Sequence, residues 1–273
     1  MRDTAPISVP TGGGDAVRAE LHGHVLLVTI DRPEARNAVN TRVTLGVGEA
    51  LEHADGNDDV WVVIITGAGD KSFCAGADLK EAAAGIRLDD PRAARWGFAG
   101  FVTHAISKPV IAAVNGFALG GGTEIVLASD LAIAAETASF GLPEIKRGIL
   151  AGGGGAFRLG RQIPAKIAME AILTGEPIPA RQALEVGLVN RVVPADGLLD
   201  AAFELADRIM VNAPLSVQAS KRIARGITGG TVASEAADWE RTRANSMAVR
   251  ASADAEEGLR AFAEKRTPNW QGR

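Results

Sequence analysis

Residues 60–66 read VWVVIIT, an apolar run that does not alternate. Successive side chains of a strand point to opposite faces, so a strand with one wet face alternates apolar with polar residues. An unbroken run suits a strand covered on both faces, as in parallel sheets flanked by helices. Residues 110–114 (VIAAV) and 131–134 repeat the pattern, and helical patterns at 91–107 and 121–128 fall between them. Strands alternating with helices predict an α/β core with parallel pairings.

The rest of the chain is read around that core. Residues 24–30 form a strand that Asp31-Arg32-Pro33 ends. Asn40 or Thr41 caps a helix that runs to about Ala54. From about Pro164 the pattern is helix upon helix: 165–173, 180–186, 197–211, 214–225, 232–251 and 255–265, interrupted by a strand at 188–193. Three regions are therefore expected: a mobile tail over 1–15 containing Gly12-Gly13-Gly14, an α/β core over 16–195, and a helical region over 196–273.

Composition removes several classes of function. With 273 residues, 47% of them hydrophobic, the chain has ample material for a large core. A net charge of −4 supplies no broad cationic field, which argues against nucleic-acid or anionic-membrane partners. Cys74 is the only cysteine, so an intrachain disulfide and a cysteine zinc site are both excluded. The histidines, His22, His24, His53 and His104, show no HExxH spacing. His22 and His24 are expected to share a face of one strand as surface residues, and no metal site is expected. Arg2 and Asp3 precede no apolar segment, and Lys108, Asn115, Glu124 and Asp130 break the longest apolar stretches. The expectation is a cytoplasmic protein with neither a secretion signal nor a membrane span.

Glycine-rich segments carry the chemical interest. Residues 67–72 (GAGDKS) lack the Gly before Lys that a phosphate loop needs, and neither Gly120-Gly121-Gly122 nor Gly152–Gly155 fits GxGxxG. A different geometry stands out at 113–124, where a buried strand ends, Asn115-Gly116 turns, and three glycines open an apolar helix. The first amides of a helix have no intrahelical partner and lie at the positive end of its dipole. Such amides suit a developing oxyanion; the glycines equally suit tight strand–helix packing, and both readings stand at this point. Phe73 to Lys80 (FCAGADLK) has the same character and could present a second donor. Glu124 lies in the first turn of the glycine-led helix, and Glu144 follows Pro143. Two carboxyls at one site can divide acid and base roles, although a Glu in a helix's first turn is favourable for structural reasons alone.

FCAGADLKE at 73–81, AVNGFALGGGTE at 113–124 and FGLPEIKRGILAGGG at 140–154 resemble the enoyl-CoA hydratase, or crotonase, family. The resemblance continues through 168–194 and 256–270, leaving out about the first 20 residues. It implies a crotonase-like (ClpP/crotonase) spiral of repeated ββα units with a helical C-terminal region that trimerises, as a homotrimer or a hexamer of two trimers. It also implies an acyl-CoA thioester as substrate and no separate cofactor, coenzyme A being part of the substrate.

Carried over by position, the resemblance makes the N–H groups of Ala77 and Gly121 an oxyanion hole for the thioester oxygen. Ala77, Asp78, Leu79 and Lys80 would line the thioester and pantetheine, and Phe262 and Lys265 would contact the adenine end, often from a neighbouring subunit. For Phe262 and Lys265 the residues alone suggest helix packing and a solvated charge. Glu124 and Glu144 match the two glutamates of the hydratases: Glu124 would activate water for attack at Cβ, and Glu144 would deliver the proton to Cα. Isomerases of the family often keep only the second glutamate. Naphthoate-synthase-like members rely on a tyrosine, and this chain has none. The implied activity is hydration of a trans-2-enoyl-CoA to a 3-hydroxyacyl-CoA. The alternatives are a specialised dehydratase such as carnitinyl-CoA dehydratase, an enoyl-CoA isomerase and, more remotely, a non-catalytic or RNA-binding member. Lys146-Arg147 and Gly152–Gly155 depart from the common pattern, and the Ala- and Arg-rich stretch 82–100 is where the family shapes its acyl pocket.

Overall fold

The computed structural model describes residues 5–83, 86 and 89–273. Residues 1–4 of the expected tail, and 84, 85, 87 and 88 of the Ala- and Arg-rich stretch, lie outside the described residues. The chain begins with β1 (Ile7–Ser8), β2 (Val17–His22), β3 (Val25–Ile30) and α1 (Thr41–Gly56). Next come β4 (Val62–Gly67), β5 (Ser72–Cys74), α2 (Leu79–Ala83) and α3 (Pro91–Trp96). β6 (Val110–Val114) and β7 (Phe117–Leu119) lead into α4 (Gly121–Ala128). β8 (Leu131–Ala135) and β9 (Ser139–Gly141) lead through a 3-10 turn at Pro143–Arg147 into α5 (Gly155–Gln162) and α6 (Ala165–Thr174). β10 (Ile178–Pro179), α7 (Ala180–Glu185) and β11 (Arg191–Val193) follow. The chain finishes with α8 (Leu198–Met210), α9 (Pro214–Arg225), α10 (Ala236–Arg250) and α11 (Ala253–Ala263).

Among the described residues, seven strands make one sheet in the order β1-β2-β3-β4-β6-β8-β11, parallel from β3 onward. The non-alternating run at 60–66 is accounted for by two cores. Val63 and Ile65 of β4 join a cluster with Val43, Val47 and Leu51 of α1. Val62 and Ile64 point the other way, into a cluster with Leu198, Ala202, Phe203 and Ala206 of α8. Each face of β4 thus has a helix over it, so Val62, Val63, Ile64 and Ile65 are apolar in succession. α8 falls in the expected helical region 196–273, yet it is the cover of the sheet's second face.

The smaller sheet, ordered β10-β9-β7-β5, gives the spiral its repeat. Each of β4, β6 and β8 is followed by a short strand, β5, β7 or β9, and these three pair in parallel in the same sequence. A strand of the large sheet, a strand of the small one and then a helix make one ββα turn, and each turn is displaced by one strand. The fold is the crotonase-like α/β spiral with C-terminal helices.

The described part of the expected tail is docked. Ile7 and Ser8 pair antiparallel with Leu21 and Glu20, and Val9 N–H donates to Ala19 O at 2.8 Å. A Cβ on Gly13 would lie 2.9 Å from the Cα of Gly46, so the glycine run permits close contact with α1. The expected helix over 91–107 ends at Trp96, because Gly97 (φ 73) and Gly100 (φ 70) turn the chain. His22 and His24 are also not on one strand face. Gly23 (φ 59) turns between β2 and β3, and the two rings meet Phe203 and Trp61 respectively. No helix of the described residues is long and apolar enough to cross a membrane.

Candidate active site

Parallel pairing of β5 with β7 brings the segments that follow them side by side, since both strands end at the same edge. After β5, Ala77 forms an isolated parallel bridge with Val39. Val39 N–H donates to Gly76 O, and Asp78 N–H donates to Val39 O, both at 2.8 Å. The bridge uses the groups flanking Ala77 and leaves Ala77's own N–H turned away from Val39. After β7, Gly120 (φ 56, ψ −122) takes a conformation open to glycine, and α4 starts at Gly121. A Cβ on Gly76 would lie 3.1 Å from Leu119 O and 3.3 Å from Gly121 N, so the Ala77 loop abuts the start of α4. Cβ atoms at Gly121 and Gly122 would overlap the Phe98 ring and Cys74 O. The glycine run therefore permits both the backbone conformation and the close packing at the start of α4.

Glu124 is in the first turn of α4 and only 3% exposed. Its Oε1 accepts the N–H of Gly155, the first residue of α5, at 2.9 Å. Gly153 is equally close: a Cβ there would overlap Glu124 Oε2. Burial, and then the Glu144 charge, push the Glu124 carboxyl up from 4.5 to about 7, while the Gly155 and Gly153 amides and the Arg158 charge pull it down. Glu144 comes from the 3-10 turn at Pro143–Arg147, on the other side of the α4 start. A Cβ on Gly120 would lie 2.8 Å from Glu144 Oε1. Burial raises the Glu144 carboxyl, against its own N–H and the nearby Arg147 guanidinium. Its Oε2 is buried without a hydrogen-bond partner among the described residues, which leaves an acceptor for a reactant.

The other expected residues divide. Asp78 pairs with Arg32 at 2.9 Å, and its Oδ1 accepts Lys80 N–H at 3.0 Å at the start of α2. Burial raises the Asp78 carboxyl, but Arg32 and the amides outweigh it and hold it low. Leu79 is half-buried and Lys80 exposed on α2. Phe262 lies on α11 beneath the Arg147 guanidinium, 4.3 Å from the ring centre, so it reaches the Glu144 turn of its own chain through Arg147. Lys265 is exposed just beyond α11.

Three contributors were not singled out from the sequence. α5 supplies the amide that holds Glu124. The Thr123 hydroxyl accepts Gly141 N–H at 2.9 Å and donates to Ala118 O at 2.6 Å, pinning α4 between β7 and β9. Arg158, one turn into α5, is buried against Glu235. The signal for α5 was present as glycines leading into an amphipathic AFRLGRQ.

Comparison with known proteins gives the family. The profile described as enoyl-CoA hydratase/isomerase matches residues 20–273. Carnitinyl-CoA dehydratase of Salmonella arizonae is 44% identical over 263 residues, 94% of this chain and 99% of that protein. The Citrobacter koseri protein of the same name is 44% identical over 92% of this chain and 97% of its own length. A crystal structure of carnitinyl-CoA hydratase from Mycobacterium avium is 57% identical with a TM-score of 0.93, covering 95% of this chain and 99% of that one. A crystal structure of enoyl-CoA hydratase from Mycobacterium tuberculosis is 43% identical with a TM-score of 0.73, covering 95% and 100%. With its profile match, its relatives and its spiral in accord, the chain belongs to the enoyl-CoA hydratase/isomerase family.

Proposed function

We propose that this chain is an acyl-CoA hydro-lyase that interconverts a 3-hydroxyacyl-CoA and its trans-2-enoyl-CoA, with Glu124 and Glu144 as the acid–base pair. The observation that carries the reading is the placement of a buried and a half-buried carboxyl, Glu124 and Glu144, both with raised pKa, on either side of the glycine-led start of α4. In hydration, the N–H groups of Ala77 and Gly121 hold the thioester oxygen as it gains charge. Glu124 takes a proton from water as the water oxygen bonds to Cβ, and Glu144 gives a proton to Cα. In dehydration each step reverses: Glu144 removes the Cα proton, and Glu124 protonates the departing hydroxyl. A carboxyl near pKa 7 serves both directions close to neutral pH. Asp78, Leu79 and Lys80 flank the thioester arm, and Phe262 and Lys265 the far end of coenzyme A. No metal or further cofactor takes part in this scheme.

For the acyl group, the names of the relatives favour carnitinyl-CoA, whose γ-carbon carries a trimethylammonium, over an unsubstituted enoyl chain. The test is turnover of crotonyl-CoA and of its γ-trimethylammonio counterpart, followed through the conjugated thioester absorbance. Wild type is run beside Glu124→Gln and Glu144→Gln. Each variant is expected to lose about 10²–10⁴-fold in kcat. A higher kcat/KM for the trimethylammonio substrate selects the carnitinyl reading, and the reverse selects a general hydratase. Turnover of neither substrate by folded wild type overturns the hydro-lyase reading.

A further inference from the structure

We propose that Arg158 and Glu235 are positioning residues for Glu124: their buried pair fixes the first turn of α5, whose amides grip the Glu124 carboxyl. The inference rests on the acid–base reading of Glu124 given above, and it assigns a task to a cluster which that reading does not use.

The geometry runs outward from Glu124. Gly155 N–H holds its Oε1, and Gly155 is the first residue of a helix of only eight residues. So short a helix does not hold its own place; it is held by what it is tied to. The tie is Arg158. Its Nε donates to Glu235 Oε1 at 3.0 Å, and its Nη2 donates to Glu235 Oε2 at 2.6 Å and to Val102 O at 2.8 Å. Both side chains are under a tenth exposed. Trp239 Nε1 donates to Glu235 Oε2 at 3.2 Å, and its ring lies 5.2 Å from the guanidinium. The same ring packs against Gly154, where a Cβ would lie 2.9 Å from it. Val102 closes the loop that begins at Phe98, and Phe98 packs on Gly121. One guanidinium thus joins the amides on Glu124, the loop walling the oxyanion amide and the approach to α10.

A buried ion pair is weak evidence of stabilisation, since desolvation offsets much of the attraction. The planar bidentate fork of arginine does specify geometry, and a displacement of about 1 Å at a reacting group costs on the order of 10²-fold in rate. The pair's location, one helical turn from the Glu124 amide, is where such specification would act.

The experiment uses the full chain. The double variant Arg158→Gln/Glu235→Gln removes the fork together with the Arg158 charge that favours the Glu124 carboxylate, while Arg158→Lys keeps that charge and loses the fork, so the pair of variants separates geometry from charge. Two readouts are taken: kcat and KM for the hydro-lyase reaction, and the Glu124 carboxyl titration by carbon-13 NMR, assigned by its loss in Glu124→Gln. The double variant is expected to lose about 10–100-fold in kcat with little change in KM. Its Glu124 midpoint should move upward, because the amides that favour the carboxylate loosen and the Arg158 charge is gone; in Arg158→Lys the first effect alone should remain. Arg158→Lys, which keeps the charge and one bond, should fall between wild type and the double variant. If the double variant does not fold, Trp239→Phe, which drops the indole donor and keeps a ring, is read by the same two measurements with smaller shifts of the same sign. A folded variant of lower Tm with kcat and midpoint unmoved overturns the inference and leaves the pair a purely structural role. A midpoint moved in Arg158→Lys, in a protein that turns over neither substrate, defeats the hydro-lyase reading and upholds the positioning, so the two failures are distinguishable.

Discussion

Glu124 is where burial and chemistry conflict most directly. Its carboxyl titrates near 7 in the fold against an ordinary 4.5, so folding favours the protonated form. That preference contributes fully below about pH 4.5 and is lost as pH rises through about 7, where the fold must carry a buried charge. Glutamine has nearly the same shape and never ionises. Glu124→Gln should therefore be more stable than wild type at pH 8 by about 2–3 kcal/mol, with most of the difference gone at pH 5. Urea denaturation at the two pH values checks this, and a difference that does not change with pH contradicts it. The sequence displayed both glutamates within specific motifs, but neither pKa was legible there. The upward shift of Glu124 comes from burial and then the Glu144 charge, and it is held back by Gly155, Gly153 and Arg158, which lie some thirty residues further along and meet it only after α5 has folded back. Asp78 was legible as a neighbour of Ala77, whereas its pairing with Arg32, 46 residues away, was not.

Helix α4 and helix α5 show what made an element readable. α4 was expected at the bounds it occupies, because a glycine entry followed by TEIVLA leaves few other choices. α5 was missed, because its two turns begin inside a run of glycines that reads as loop. β5, β7 and β9 were missed because three residues are too few to show a period of two, although their parallel register is what sets Ala77 beside Gly121. The glycines of the two helices should respond oppositely to a methyl group. At Gly122 a Cβ meets the backbone carbonyl of Cys74, which cannot withdraw without moving β5. Gly122→Ala should cost about 1–3 kcal/mol and lower turnover with it. At Gly160 nothing lies within 4 Å, and the residue is exposed within α5. Gly160→Ala should stabilise by about 0.4–1 kcal/mol by restricting the unfolded chain, with turnover unchanged. Thermal unfolding of the two variants side by side settles both signs.

At the scale of the whole molecule, the helices after β11 divide by what they bury. α8 gives Leu198, Ala202, Phe203 and Ala206 to the sheet, and the spiral would lose the cover of one face without it. α9 and α10 instead leave large apolar side chains in water: Leu215 is 78% exposed, Ile223 83% and Met247 74%, with Val211 at 83% just before α9. Single exposed apolar residues are ordinary, but several on consecutive helices mark a surface that another protein covers. The trimer implied by the sequence resemblance is the occupant we propose, since closed rotational symmetry lets every copy bury the same surface. Light scattering on the eluting protein should give three or six times the chain mass, and Leu215→Glu/Ile223→Glu should reduce that mass while leaving the α/β spectrum intact. A wild type that elutes at the mass of one chain at micromolar concentration would remove the trimer from the account. The location of the patch also makes turnover informative. α10 packs through Trp239 onto Gly154, and α11 through Phe262 onto Arg147, so the helices next to the exposed surface also touch the segments that hold Glu124 and Glu144. If assembly steadies those helices, the dissociated variant should lose kcat and not merely mass. Retention of full kcat by a monomeric variant would mean that each chain orders its two carboxylates unaided.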